Sequence, residues 1–150
     1  MKHRFHQRPL SVLVICVLTS LAGCAGMGSA NLRGSAHQLN VASNHLSVQA
    51  QYKGEDIYRG RISRYAESLS KAAEGFDRAL RDGDSRDDLE DQYRRVTEHY
   101  RELHDGLTSA GHTEQSEHLQ QSFADVTAAY RQVQGVMSAR LASERERMRY

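Results

Sequence analysis

The chain has 150 residues, with 20 Lys and Arg against 19 Asp and Glu, a formal charge of +1, one proline and no tryptophan. A balance so close to neutral excludes a chain that binds nucleic acid through excess positive charge. The length suits one domain with a real core.

The chain begins with Lys2, Arg4 and Arg8, continues through the apolar stretch LSVLVICVLTSLA, and reaches Ala22 and Gly23 directly before Cys24. A basic start, a short apolar region and small residues at a cleavage point form the layout of a secretory signal peptide. The apolar run is about a dozen residues, short of the roughly 20 that a bilayer-spanning helix needs, so removal is expected rather than a permanent span.

Leu21, Ala22, Gly23 and Cys24 resemble the bacterial lipobox. The resemblance implies a diacylglycerol on the Cys24 thiol and cleavage just before it, hence a lipid-anchored protein. Two or three acyl chains hold a protein stably on a bilayer, whereas one does so only marginally. Ala25 follows the cysteine, not the aspartate that retains such proteins in the inner membrane, so the resemblance implies the periplasmic face of the outer membrane. The alternative is an ordinary signal peptide that leaves a free thiol. Loss of residues 1–23 removes three basic groups and takes the formal charge from +1 to about −2. Cys16 leaves with them, and so does Pro9, so no helix of the mature chain is interrupted by proline.

Residues 24–34 read as the lipidated end and a short flexible tether, AGMGSANLRG after the cysteine, and 35–150 as the folded domain. Strict alternation of Val, Ile and Thr is missing, so strands are not expected. Steps of three and four recur instead. One seam runs through Tyr58, Ile62, Tyr65, Leu69, Ala72, Phe76 and Leu80; a second through Leu89, Tyr93, Val96, Tyr100, Leu103 and Leu107; a third through Leu119, Phe123, Val126, Tyr130, Val133, Met137 and Leu141. These are the buried stripes of amphipathic helices.

Gly83 and Gly111 suit left-handed C-terminal caps, while Ser85 with Asp88, and Thr113 with Glu114, suit helix starts. Short turns at these points predict helices that run up, down and up. A thinner stripe precedes them: Leu32, Ala36, Leu39, Ala42 or Ser43, Leu46 and Ala50. Continued in phase it lands on Lys53, Gly60 and Arg64, so a break near YKGED with Gly54 as cap is expected. The fold class is all-α, an up-down bundle of four helices, with a three-helix version built on one long first helix as the alternative. The first segment offers the least apolar area and is expected to be the least stable.

Chemistry is sparse. His37, His45, His99, His104, His112 and His118 remain after cleavage, and no two have the i, i+3 or i+4 spacing that lets helical ligands converge. The Glu-x-x-His motif of di-iron bundles is missing, although Glu114 lies one turn before His118, a spacing that suits a surface hydrogen bond. Asp82 to Asp91 fail as a calcium loop, because Arg86, Asp87 and Tyr93 stand at positions that need an oxygen ligand, a glycine and a glutamate. No Gly-x-Ser-x-Gly turn or phosphate loop occurs. No catalytic residue, metal ligand, cofactor or nucleic-acid partner is expected from these patterns, and the single candidate site residue is Cys24, for lipidation.

The C-terminal ARLASERERMRY is net basic; the last helix has the length to run some ten residues past its neighbours, about 15 Å, as a contact for a partner or anionic headgroups, and a frayed terminus is the preferred alternative. These features imply a non-catalytic scaffold, assembly factor or chaperone for an envelope component. The shape is similar to that of pilotins, small helical lipoproteins, without a shared motif. A metal- or haem-binding bundle using the histidines is the alternative.

Overall fold

The computed structural model describes residues 28–52, 57–109 and 117–147, together with Arg149. These form α1 (Gly28–Tyr52), α2 (Ile57–Asp82), α3 (Arg86–Ser109) and α4 (Glu117–Arg147), with no strand among the described residues. The protein is an all-α bundle of four helices. The α1–α2 break falls where the stripe loses phase; Gly54, Gly111, Thr113 and Glu114 lie outside the described residues.

From Ile62 to Met137 the three long seams face inward, and the side chain of Tyr58 lies outside the described residues. Leu69, Phe76, Val96, Leu103, Val126 and Val133 are fully buried, and Tyr65, Tyr93, Tyr100 and Phe123 pack against that core half-buried. On α1 the buried stripe alternates large and small: Leu32, Ala36, Leu39, Ser43, Leu46, Ala50. Leu32 is 1% exposed, and the helix that carries it begins at Gly28. The expected tether through residue 34 is therefore helical from Gly28 onward, because its leucine belongs to the core.

The α2–α3 turn follows its glycine. Gly83 has φ of 76°, and the Ala79 carbonyl accepts from both Gly83 N (3.1 Å) and Asp84 N (3.0 Å), which closes α2. Ser85 opens α3 by accepting from Asp88 N at 3.3 Å and donating its hydroxyl to Asp88 Oδ2 at 2.6 Å. Asp87 and Asp88 lie in the first turn, where negative charge complements the helix dipole.

Backbone spacing is unequal around the bundle. α1 packs closely on α2 and α4, and α2 on α3, whereas among the described residues no α-carbon of α3 comes within 8 Å of one on α4. An ion pair between Arg86 Nη2 and Glu144 Oε2 at 3.0 Å sets the first turn of α3 beside residue 144 of α4. The ten-residue overhang open to α4 thus shrinks to about one turn past α3, because Glu144 is held between Arg86 and Arg140.

Candidate functional site

The wide α3–α4 side is filled by rings. Tyr100 on α3 and Tyr130 on α4 stack with centroids 4.0 Å apart and planes 11° from parallel, and Phe123 stacks on the outer side of Tyr100 at 6.2 Å. Each phenol reaches across the gap: Tyr100 donates to Thr127 Oγ1 on α4 at 3.2 Å, and Tyr130 donates to Thr97 Oγ1 on α3 at 3.3 Å. Thr97 in turn donates to the Tyr93 carbonyl at 3.0 Å, so both threonines are placed by regular helix geometry. The pairing satisfies hydroxyls that a seam of tyrosines would otherwise strand. Burial pushes the Tyr93 phenol above its ordinary pKa, with the neighbouring Tyr130 adding to the effect. Tyr93 also packs at a tilt on Phe76 of α2, 6.1 Å away.

A second polar cluster joins α1 to α2. Asp77, 2% exposed, accepts from Asn40 Nδ2 at 3.0 Å and lies 3.3 Å from Arg81 Nη2 and 3.5 Å from His37 Nδ1. A buried carboxylate needs such partners. One turn on, Arg33 Nε donates to the Leu80 carbonyl at 3.1 Å, which supplies a partner to an otherwise orphaned group at the end of α2. Together these contacts fix the register of α1 on α2.

The histidines are dispersed. His37 sits beside Asp77, His45 Nδ1 lies 3.3 Å from Ser122 Oγ, His99 pairs with Glu102 at 2.8 Å, and His104 with Asp105 at 3.3 Å. His118 is exposed, and His112 lies outside the described residues. Among the described residues no three His, Cys, Asp or Glu side chains converge on a point that could hold a metal ion. In the acidic stretch, Glu90 pairs with Arg86 and Asp91 with Arg94 beside a cleft of about 360 Å³ that Tyr93 and Leu141 also line. Cys24, the single site residue expected from sequence, lies outside the described residues.

Asp77, Asn40 and Arg33 are absent from the sequence reading. A helix packed on two neighbours buries two stripes, and the second stripe of α2 passes through Ala66, Ala73, Asp77 and Leu80. An aspartate spaced with alanines and a leucine at 3.6-residue periodicity is the signal that marks it.

No helix among the described residues is long and apolar enough to cross a membrane. Comparison with protein-family models, with curated proteins and with solved structures finds no match to this chain.

Proposed function

We propose that this chain is a non-catalytic lipoprotein of the outer membrane, its helical bundle held at the periplasmic face as a scaffold, assembly factor or chaperone for another envelope component. The observation that carries this reading is the position of the lipobox-like LAGC, whose Cys24 stands four positions before Gly28, the first residue of α1. Acylation of Cys24 sets the start of α1 at the headgroup surface. The end of α2, the start of α3 and the end of α4 share that end of the bundle, as the Arg33 to Leu80 and Arg86 to Glu144 contacts require. The other end then projects about 37 Å into the periplasm, at 1.5 Å per residue over the 25 residues of α1.

Metabolic labelling with a fatty acid tests the anchor. The full chain takes up label and fractionates with membranes, and Cys24→Ser loses both. Label retained by Cys24→Ser overturns the reading. Co-purification from solubilised membranes then identifies the component that the bundle serves.

A further inference from the structure

Surface helices ordinarily turn charge toward water. α2 and α3 do so, with exposed pairs such as Lys71 with Glu67 and Arg94 with Asp91. α1 does not. Apart from its histidines, its 25 residues include a single charged side chain, Arg33, and that one leans onto α2 to reach the Leu80 carbonyl. On the outward line of α1 stand Val41, 56% exposed, and Val48, 40% exposed, two turns apart; they are the exposed large hydrophobics among the described residues.

The charge-poor surface continues onto α4. Where α4 borders α1 its exposed residues include Ala128, Gln132, Gly135 and Ala139; the carboxylates there are Glu117, in the first turn of α4, and Asp125, which accepts from Gln121 Nε2 at 3.1 Å. Two glycines on this surface have no explanation inside the fold. A Cβ at Gly34 or at Gly135, as at Gly60 on α2, would meet nothing within 4 Å, whereas at Gly75 and Gly106 it would lie 3.0 Å from Gln92 and Tyr65. Glycine is unfavourable in a helix interior, and close approach of another backbone is what repays it. His45 lies beside Ser122, and antiparallel counting from that pair puts Gly34 and Gly135 at nearly the same height.

We propose that the α1–α4 face docks a second copy of this chain. In a two-fold contact the residues along the axis meet their own copies, so a charge there faces its own kind, and a patch whose central line carries Val41 and Val48 in place of charge escapes that repulsion. Loss of charge around a small apolar centre is also how the middle of a protein interface differs from the rest of a surface. The area fits. A strip about 37 Å long and two helices wide, each helix about 10 Å across, covers about 700 Å², near the roughly 800 Å² that each partner contributes to a stable contact. The relative direction of the copies rests on the proposed anchor: two chains lipidated in one membrane stand parallel.

Thiol cross-linking of the full chain in membranes, with a short bis-maleimide, tests this. Val41→Cys and Val48→Cys each give a covalent dimer, and Arg95→Cys on the exposed face of α3 does not. The double variant Val41→Glu with Val48→Glu weakens dimerisation of the detergent-solubilised protein about a hundredfold, as like charges set against each other do. Its helical content remains that of the wild type, because both side chains are exposed, and its melting temperature matches that of the wild type at concentrations where both are monomeric. Linkage in Val41→Cys but not in Val48→Cys supports the docking face and overturns the shared anchor, since antiparallel copies centred on Val41 hold residue 48 about 21 Å from its mate. A monomeric wild type, with Val41→Cys linking no better than Arg95→Cys, overturns the docking face itself.

Discussion

α1 meets two neighbours at close range through a stripe in which leucine alternates with alanine or serine, while α3 and α4 stand apart and meet through stacked rings. Small side chains let backbones approach, so each leucine of α1 sinks between two helices and is removed from water completely. Large rings hold backbones apart, and the area they bury comes from the rings themselves. Ser43 shows the difference in polar bookkeeping. Its hydroxyl bonds to the Leu39 carbonyl of its own helix and asks nothing of a neighbour, whereas Tyr100 and Tyr130 each need a threonine on the opposite helix. The α1 interfaces therefore depend on the absence of volume, and the α3–α4 interface on its presence.

The sharpest way to break this comparison is to remove a ring. Tyr130→Ala deletes the side chain stacked on Tyr100 and the donor to Thr97, at a place where no backbone contact substitutes for it. A destabilisation of about 3–5 kcal/mol in urea unfolding is expected, the usual cost of an aromatic truncated in a core. A loss below about 1 kcal/mol would mean that α3 and α4 close the gap by moving together.

The converse change adds volume to α1. Ala36→Leu puts three more carbons where the side chain is wholly buried between close backbones, and overpacking of this kind costs about 1–3 kcal/mol. A larger addition on the outward line, the four carbons of Gly34→Leu, starts from a Cβ in open space and leaves the monomer intact. Hydrogen exchange sharpens the point. Amides around Leu39 to Ser47 are expected to be protected at least as well as those around Val96 to Leu103, since α1 has two close neighbours and α3 has one. Faster exchange in α1 would bear out the expectation from sequence that apolar area ranks the helices.

That expectation shows where sequence stops being informative. Periodicity located one inward line on each helix, because 3.6-residue spacing of Leu, Tyr, Phe and Val depends on the chain alone. Gly83 and the Ser85–Asp88 pair were equally legible, since a left-handed residue and a helix start are local events. What Ala36 and Ser43 contribute was not, because small residues gain their value from how near the next helix comes, which is a property of the assembled bundle. Asp77 was hidden for the same reason. Its partners Asn40 and His37 lie on another helix, and a charged residue read alone is assigned to solvent. Of the candidate site, the tyrosines were placed on seams, but their threonine partners fall between seam positions and carry no periodic signal.

A milder test removes only hydroxyls. Tyr130→Phe keeps the ring stack and loses one hydrogen bond, with an expected cost of about 0.5–1.5 kcal/mol. The low end applies if Thr97 is content with its own bond to the Tyr93 carbonyl. Ser43→Ala is the matched change on α1 and should fall below about 0.5 kcal/mol, because the deleted bond lies within one helix and leaves no partner on another. Equal losses in the two variants would remove the polar half of the comparison.

The smallest expected effect is an alkaline one, and it separates the two regions by chemistry. Burial raises the Tyr93 phenol above its unfolded value, so on raising the pH past about 10 the unfolded chain gives up this proton before the folded one does. The unfolded state then binds fewer protons, and stability falls as pH rises; below that range the contribution is fully present. Tyr93→Phe has no proton to lose. Its stability relative to the wild type should therefore be flat up to about pH 9 and improve as the pH passes about 10, read as the difference in urea midpoints. A difference that stays constant over that span would show that the Tyr93 hydroxyl titrates in the bundle as it does in the open chain, and that the α3–α4 side, for all its rings, is wet at that point.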